Sequence, residues 1–191
     1  RCDQGLGDII LLSRFVKLLP DYGAKVTFMI PNSMEKLMKN LSKNINITSL
    51  EQKNNNYDYE CTLGDLFEIF NIDKSNIPLT NSYLEIDDKW IEKWRNKLNQ
   101  NKINIGISWQ GKKGGALDEG RSFELNNFER ISNIDNINLI SLQKNDGIEQ
   151  VDEFKNKNSL INFNETLDVE TKFMDTAGLM KNLDFVISSD T

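Results

Sequence analysis

Asp3-Gln4-Gly5-Leu6-Gly7-Asp8, followed directly by the apolar run Ile9 to Leu19, is the stretch on which the reading of this chain turns. Two glycines let the backbone turn tightly and approach a ligand closely, and the run behind them has the composition of a helix buried on most sides. Asp8 falls at the mouth of that helix. There a carboxylate can meet a substrate, or it can simply cap the first turn and complement the helix dipole. These residues alone leave both roles open.

Outward from that turn, helix and strand alternate. Tyr22-Gly23 ends the helix, Lys25 to Ile30 reads as a strand stopped by Pro31, and Ser33 reads as the cap of a helix with Met34, Leu37, Met38 and Leu41 on one face. Ile45 to Leu50 and Tyr57 to Thr62 read as further strands. Between Phe70 and Asp87 the periodicity fades, and a helix over 88–98 follows. Past the polar break Asn99-Gln100-Asn101 the alternation restarts: strands at Ile103 to Trp109, Ile137 to Leu142, Ser159 to Phe163 and Leu183 to Ser188, helices at Leu125 to Ser132 and Phe173 to Lys181. Strand, helix, strand in this order predicts α/β architecture with parallel sheets and right-handed crossovers, in two tandem units, 1–100 and 101–191.

Composition bounds what such units can do. A chain of 191 residues with 38% hydrophobic content can bury a core. No apolar stretch nears the roughly 20 residues of a membrane span, and no signal-peptide layout opens the chain, so a cytoplasmic setting is expected. The two thiols, Cys2 and Cys61, are expected to be reduced. Histidine is absent, which removes imidazole from every catalytic scheme and leaves carboxylate, Lys, Tyr or Cys as the base. The net charge of −6, with −5 of it in residues 101–191, argues against general nucleic-acid binding.

In open parallel sheets ligands sit beyond the carboxyl ends of the strands. Ser108-Trp109-Gln110-Gly111-Lys112-Lys113-Gly114-Gly115 follows the first strand of the second half, Arg121-Ser122 closes that loop, Gln143-Lys144 follows the next strand and Ser189-Asp190-Thr191 the last. Exposed glycine N–H groups beside Lys and Arg suit a pyrophosphate, although the same loop can be plain solvated surface. It is neither a Walker loop nor a complete dinucleotide fingerprint. Trp109 reads as core packing or as a stacking platform. Asp175-Thr176 reads as an ordinary helix start or as a contact to a ligand.

Taken in order, Asp3 to Ile10, Gly23 to Phe28, Ile105 to Gly111, Arg121-Ser122, Ser141 to Lys144, Asp175-Thr176-Ala177 and Val186 to Thr191 resemble the bacterial family 9 glycosyltransferases, the heptosyltransferase-like group, especially forms that follow tetratricopeptide repeats. The resemblance implies a GT-B architecture of two Rossmann-like lobes, the acceptor bound mainly by the first and a nucleotide-sugar donor by the second, with inversion at the anomeric centre and no metal or other cofactor. The role of general base then falls on Asp8, and contact with the donor phosphates on Asp190 and Thr191. Gln4, Gly5, Gly7, Trp109, Gly111, Lys112, Lys113, Arg121, Gln143, Lys144, Asp175 and Thr176 complete the expected substrate-binding set. The acceptor would be a glycan, a lipopolysaccharide-type molecule or a protein. Such enzymes continue past the Asp-Thr pair into a helix that usually carries a His. These 191 residues are therefore expected to be a fragment with an incomplete second lobe, weak or no transfer activity, and unpaired sheet edges that favour self-association. Two other functions fit the same residues: a nucleotide- or sugar-binding module without turnover, and a nicotinamide-dependent oxidoreductase. Against the latter, no acidic residue clearly ends the strand near Ile30.

Overall fold

The computed structural model describes residues 5–52, 56–78, 82–114, 120–156, 159–170 and 172–190. The chain divides into two compact units, Arg1–Ile86 with Thr171–Phe173, and Asp87–Glu170 with Met174–Thr191. Each is α/β and holds a parallel sheet, two-stranded in the first and four-stranded in the second. Among the described residues no helix is long and apolar enough to cross a membrane.

In the first unit, α1 (Leu6–Val16) starts from Gly5 in an extended conformation and buries Ile9, Leu12, Phe15 and Val16. The apolar run continues to Leu19, but Pro20 donates no backbone hydrogen bond, and the chain passes into a 3-10 turn at Leu19–Tyr22. Gly23 ends that turn at φ +83°, a conformation in which a Cβ would be strained. β1 (Val26–Ile30) then pairs with β2 (Ile45–Ser49) in parallel, Val26 opposite Ile45 and Ile30 opposite Ser49. Phe28, Met29 and Ile30 are all buried, so β1 is covered on both faces, as a parallel strand requires. Ser33 sits inside a 3-10 turn, Asn32–Met34, and makes no side-chain cap; α2 (Glu35–Met38) follows, and the predicted face of Met34, Leu37, Met38 and Leu41 is buried.

The strand expected at Tyr57 to Thr62 does not form. Strict alternation puts Tyr57, Tyr59 and Cys61 on one side but Asp58 and Glu60 on the other, and a two-sided parallel sheet cannot bury those carboxylates. Tyr59 is 94% exposed. The chain instead turns into α3 (Asp65–Ile69), opened by a reciprocal cap in which Thr62 N–H donates to Asp65 Oδ2 (2.6 Å) and Asp65 N–H to Thr62 Oγ1 (3.3 Å). Donation from the Thr62 N–H, and then from its side chain, holds the Asp65 carboxyl below its ordinary range.

The second unit is built on a sheet of order β5 (Leu160–Asn162), β4 (Ile137–Ser141), β3 (Ile103–Ser108), β6 (Phe185–Ser188), every neighbouring pair parallel. Alternation along β3 and β4 feeds two cores. Ile105, Ile107, Leu139 and Leu160 pack with Trp109, Leu125, Phe128 and Phe154 on one face. On the other, Ile140 packs with Trp94, Leu98, Leu167 and Leu179. Gly106 belongs to this second face: a Cβ there would stand 2.5 Å from Leu183 Cδ1 and 2.8 Å from Leu142 Cδ1. Phe185, Val186 and Ile187 of β6 are exposed.

α4 (Asp88–Arg95), which a boundary at residue 100 would assign to the first half, lies in the second unit and packs on α7 (Met174–Met180). Three features fix that contact. Gly178 lets the helices approach so closely that a Cβ would lie 2.6 Å from Trp90 O. Asn182 Nδ2 donates to Ile91 O at 2.9 Å. Asp175, only 1% exposed, accepts from Lys93 Nζ at 2.6 Å and from Trp94 Nε1 at 2.8 Å. A carboxylate so buried survives because both partners are charge or hydrogen-bond donors.

Candidate functional site at the carboxyl ends of β3, β4 and β6

β3 lies between β4 and β6, so the loop after it runs between the loops that follow its two neighbours. Gln143, just past β4, laces this edge together. Its Oε1 accepts from Trp109 N–H (2.9 Å), Gln110 N–H (3.0 Å) and Ser108 Oγ (3.2 Å), while Nε2 donates to Gln110 O and Asp146 O, both at 2.7 Å. With 3% exposure and both ends of its amide occupied, Gln143 shapes the loop rather than facing solvent. Around it, Gly111 N–H donates to Ser122 Oγ (3.1 Å), Lys113 N–H to Asp146 Oδ2 (2.8 Å) and Gln150 Nε2 to Gln110 Oε1 (3.0 Å). Gln150 lies on α6 (Gln150–Glu153), a short helix after β4 with no signal strong enough to be read from the sequence, unlike α5 (Glu129–Ser132) before that strand.

The Trp109 indole is fully buried in the first core and donates to Gly147 O at 3.1 Å. It packs; the ring offers no open face for stacking. Gly147, at φ +88°, leaves no room for a Cβ, which would meet Gln110 Cβ at 2.8 Å. The glycine at this position lets the loops after β3 and β4 touch.

The four cations gathered here are held differently. Lys113 Nζ pairs with Glu149 and holds that carboxyl below its ordinary value of 4.5. Lys144 Nζ donates to the carbonyls of Asn164 (3.1 Å) and Leu167. Arg121 meets Asp190, Nε to Oδ2 at 3.2 Å and Nη2 to Oδ1 at 3.3 Å. Lys112 has no ion-pair or hydrogen-bond partner among the described residues. The basic loop therefore offers less unengaged charge than its composition promised.

Other expected residues stand elsewhere. Asp175 is spent on α4, and its N–H, with the N–H and hydroxyl of Thr176, is directed at Asp168, whose carboxylate caps α7 from a left-handed backbone at φ +54°. In the first unit Asp8 is exposed, and its Oδ2 accepts Gly5 N–H at 3.2 Å. Among the described residues, nothing beyond the helix's own backbone and Gly7's chain neighbours comes within 4 Å of where a Cβ on Gly7 would be. Gln4 and Thr191 lie outside the described residues.

Two serines at this edge belong to stretches quoted above but stand outside the expected substrate-binding set. Ser141 and Ser189 end β4 and follow β6, and both hydroxyls are buried without a hydrogen-bond partner among the described residues. Their one sequence signal is position, at the carboxyl end of a strand. Separately, the first unit carries a groove of about 990 Å³ between β1 and residues 56–63, walled by Val16, Leu19, Phe28, Leu63 and Leu66. Burial there pushes the Cys61 thiol up. Among the described residues no three His, Cys, Asp or Glu side chains converge as a metal-binding group. No protein-family model, curated protein or solved structure matches the chain.

Proposed function

We propose that this chain is a glycosyltransferase unit of GT-B type, in which the second unit takes a nucleoside diphosphate sugar and Asp8 of the first serves as general base. The observation that carries the reading is the laced edge: glycine-bearing backbone after β3, held by Gln143, with Lys112 and Arg121 beside it and, at the ends of the neighbouring strands, two serine hydroxyls without a hydrogen-bond partner among the described residues. Hydroxyl donors, an ammonium group and a guanidinium are groups that recognise a diphosphate. In the transfer step the acceptor O–H gives its proton to the Asp8 carboxylate as its oxygen bonds to the anomeric carbon. The bond from that carbon to the diphosphate oxygen breaks, and the electron pair leaves with the diphosphate. Attack opposite the leaving group inverts the centre. Lys112 and Arg121 answer the charge that builds on the departing group. The acceptor is a glycan, a lipopolysaccharide-type molecule or a protein, and two cysteines in 191 residues accord with a cytoplasmic setting.

One observation favours a second reading, a nucleotide- or sugar-binding module without turnover: the Asp8 carboxylate is already engaged as a local cap on Gly5. Calorimetric titration with nucleoside diphosphates, together with donor turnover measured for Asp8→Asn, separates the two. Transfer predicts that Asp8→Asn lowers kcat by about 10²- to 10⁴-fold with donor affinity retained. Binding without any turnover in the unaltered protein supports the module. Failure to bind any nucleoside diphosphate overturns both.

A further inference from the structure

Arg121 and Asp190 meet side-on: Nη2 donates to Oδ1 at 3.3 Å, and Nε lies 3.2 Å from Oδ2 as an ion-pair contact. That edge of a guanidinium is the one that takes two oxygens of a phosphate. The partners are unequal. The Arg121 side chain is 34% exposed and closes the loop after β3, whereas Asp190 is 85% exposed and has no other partner among the described residues. Beside it in the chain, the buried Ser189 hydroxyl also lacks a partner among the described residues. A carboxylate standing 3.2 to 3.3 Å from this edge occupies the place a phosphate would take, and two negative groups exclude one another there.

We infer that the Arg121–Asp190 pair is an exchange latch: Asp190 holds the guanidinium in place while the edge is empty, and a diphosphate displaces it, taking over Arg121 and the Ser189 hydroxyl. This rests on the diphosphate reading above and sharpens it, since it makes Arg121 the anion-binding residue and Asp190 its competitor. The family resemblance gives Asp190 the opposite sign, as a residue that supports donor binding. An exposed ion pair is weak, so displacing it costs little and the latch sets affinity only modestly.

Isothermal titration with inorganic pyrophosphate, using the full chain, tests the sign. Asp190→Asn is expected to bind about two- to fivefold more tightly than the unaltered protein, the range set by the worth of an exposed ion pair. Arg121→Gln is expected to lose about tenfold or more. In the double variant the gain from Asp190→Asn vanishes, because the guanidinium it competed for is gone. Ser189→Ala is expected to weaken binding about threefold with Arg121 and Asp190 intact. Pyrophosphate bound by the unaltered protein but equally or less tightly by Asp190→Asn overturns the latch and leaves the diphosphate reading standing. No binding by the unaltered protein or by Asp190→Asn overturns the two together.

Discussion

The two glycine-bearing loops of this chain, at Gly5–Asp8 and at Gln110–Gly114, look alike in composition and are held by opposite means. The first is secured within itself: Gly5 N–H reaches Asp8 three residues on, and among the described residues no side chain stands over the next glycine. The second is secured from afar, by Gln143 and Asp146 some 33 residues away and by Ser122 and Gln150. A loop held by its own neighbours is free to change shape with local bonds alone. One laced from distant strands changes only if the sheet edge changes, because its N–H groups at 109, 110, 111 and 113 are already committed to Gln143, Ser122 and Asp146.

Substitution can break this contrast. The largest effect is expected for Gln143→Ala, which strips partners from Trp109 N–H, Gln110 N–H and two carbonyls at a buried position; urea unfolding should show a loss of about 3 kcal/mol, and the amides of 109 and 110 should lose protection from hydrogen exchange. An unchanged unfolding midpoint would mean that the loop does not depend on its lacing. Asp8→Ala, which removes only a local cap from an exposed first turn, should cost about 0.5 kcal/mol in the same assay and leave exchange in the second unit untouched. The smallest effect sharpens the picture at the loop's rim. Glu149 is held below 4.5 chiefly by the hydrogen bond from Lys113, with its own and the Gly147 backbone contributing. A lowered folded-state value means that this contact stabilises the protein above 4.5 and that the benefit fades as pH falls through the lowered value. Lys113→Ala should move the Glu149 carboxyl resonance midpoint upward toward 4.5 in an NMR titration, and no movement would remove Lys113 as the cause.

What could be read from the sequence follows the same division between near and far. The strands at 26–30, 103–108 and 137–141 announce themselves by composition, and the Asp8 cap spans three residues. The strand read at Tyr57 to Thr62 fails on burial: Asp58 and Glu60 forbid a strand covered on both faces. The attachment of α4 to the second unit rests on Lys93, Trp94 and Asp175, more than 80 residues apart in the chain. At the candidate site, residue types and strand ends were legible. Which side chain spends itself on which partner was not, so Trp109 proved to be core, Gln143 a brace and Lys144 a clasp on carbonyls.

Gly106 and Gly178 would age differently over evolutionary time. The obstacle at 106 is a pair of leucine methyl groups, so a side chain can arise there if position 183 or 142 shrinks in the same lineage, and the three positions should covary. At 178 the obstacle is the main chain of Trp90, which no replacement of a side chain can trim. Drift can therefore rewrite the first glycine with a partner's consent, while the second stays invariant for as long as the two helices remain in contact.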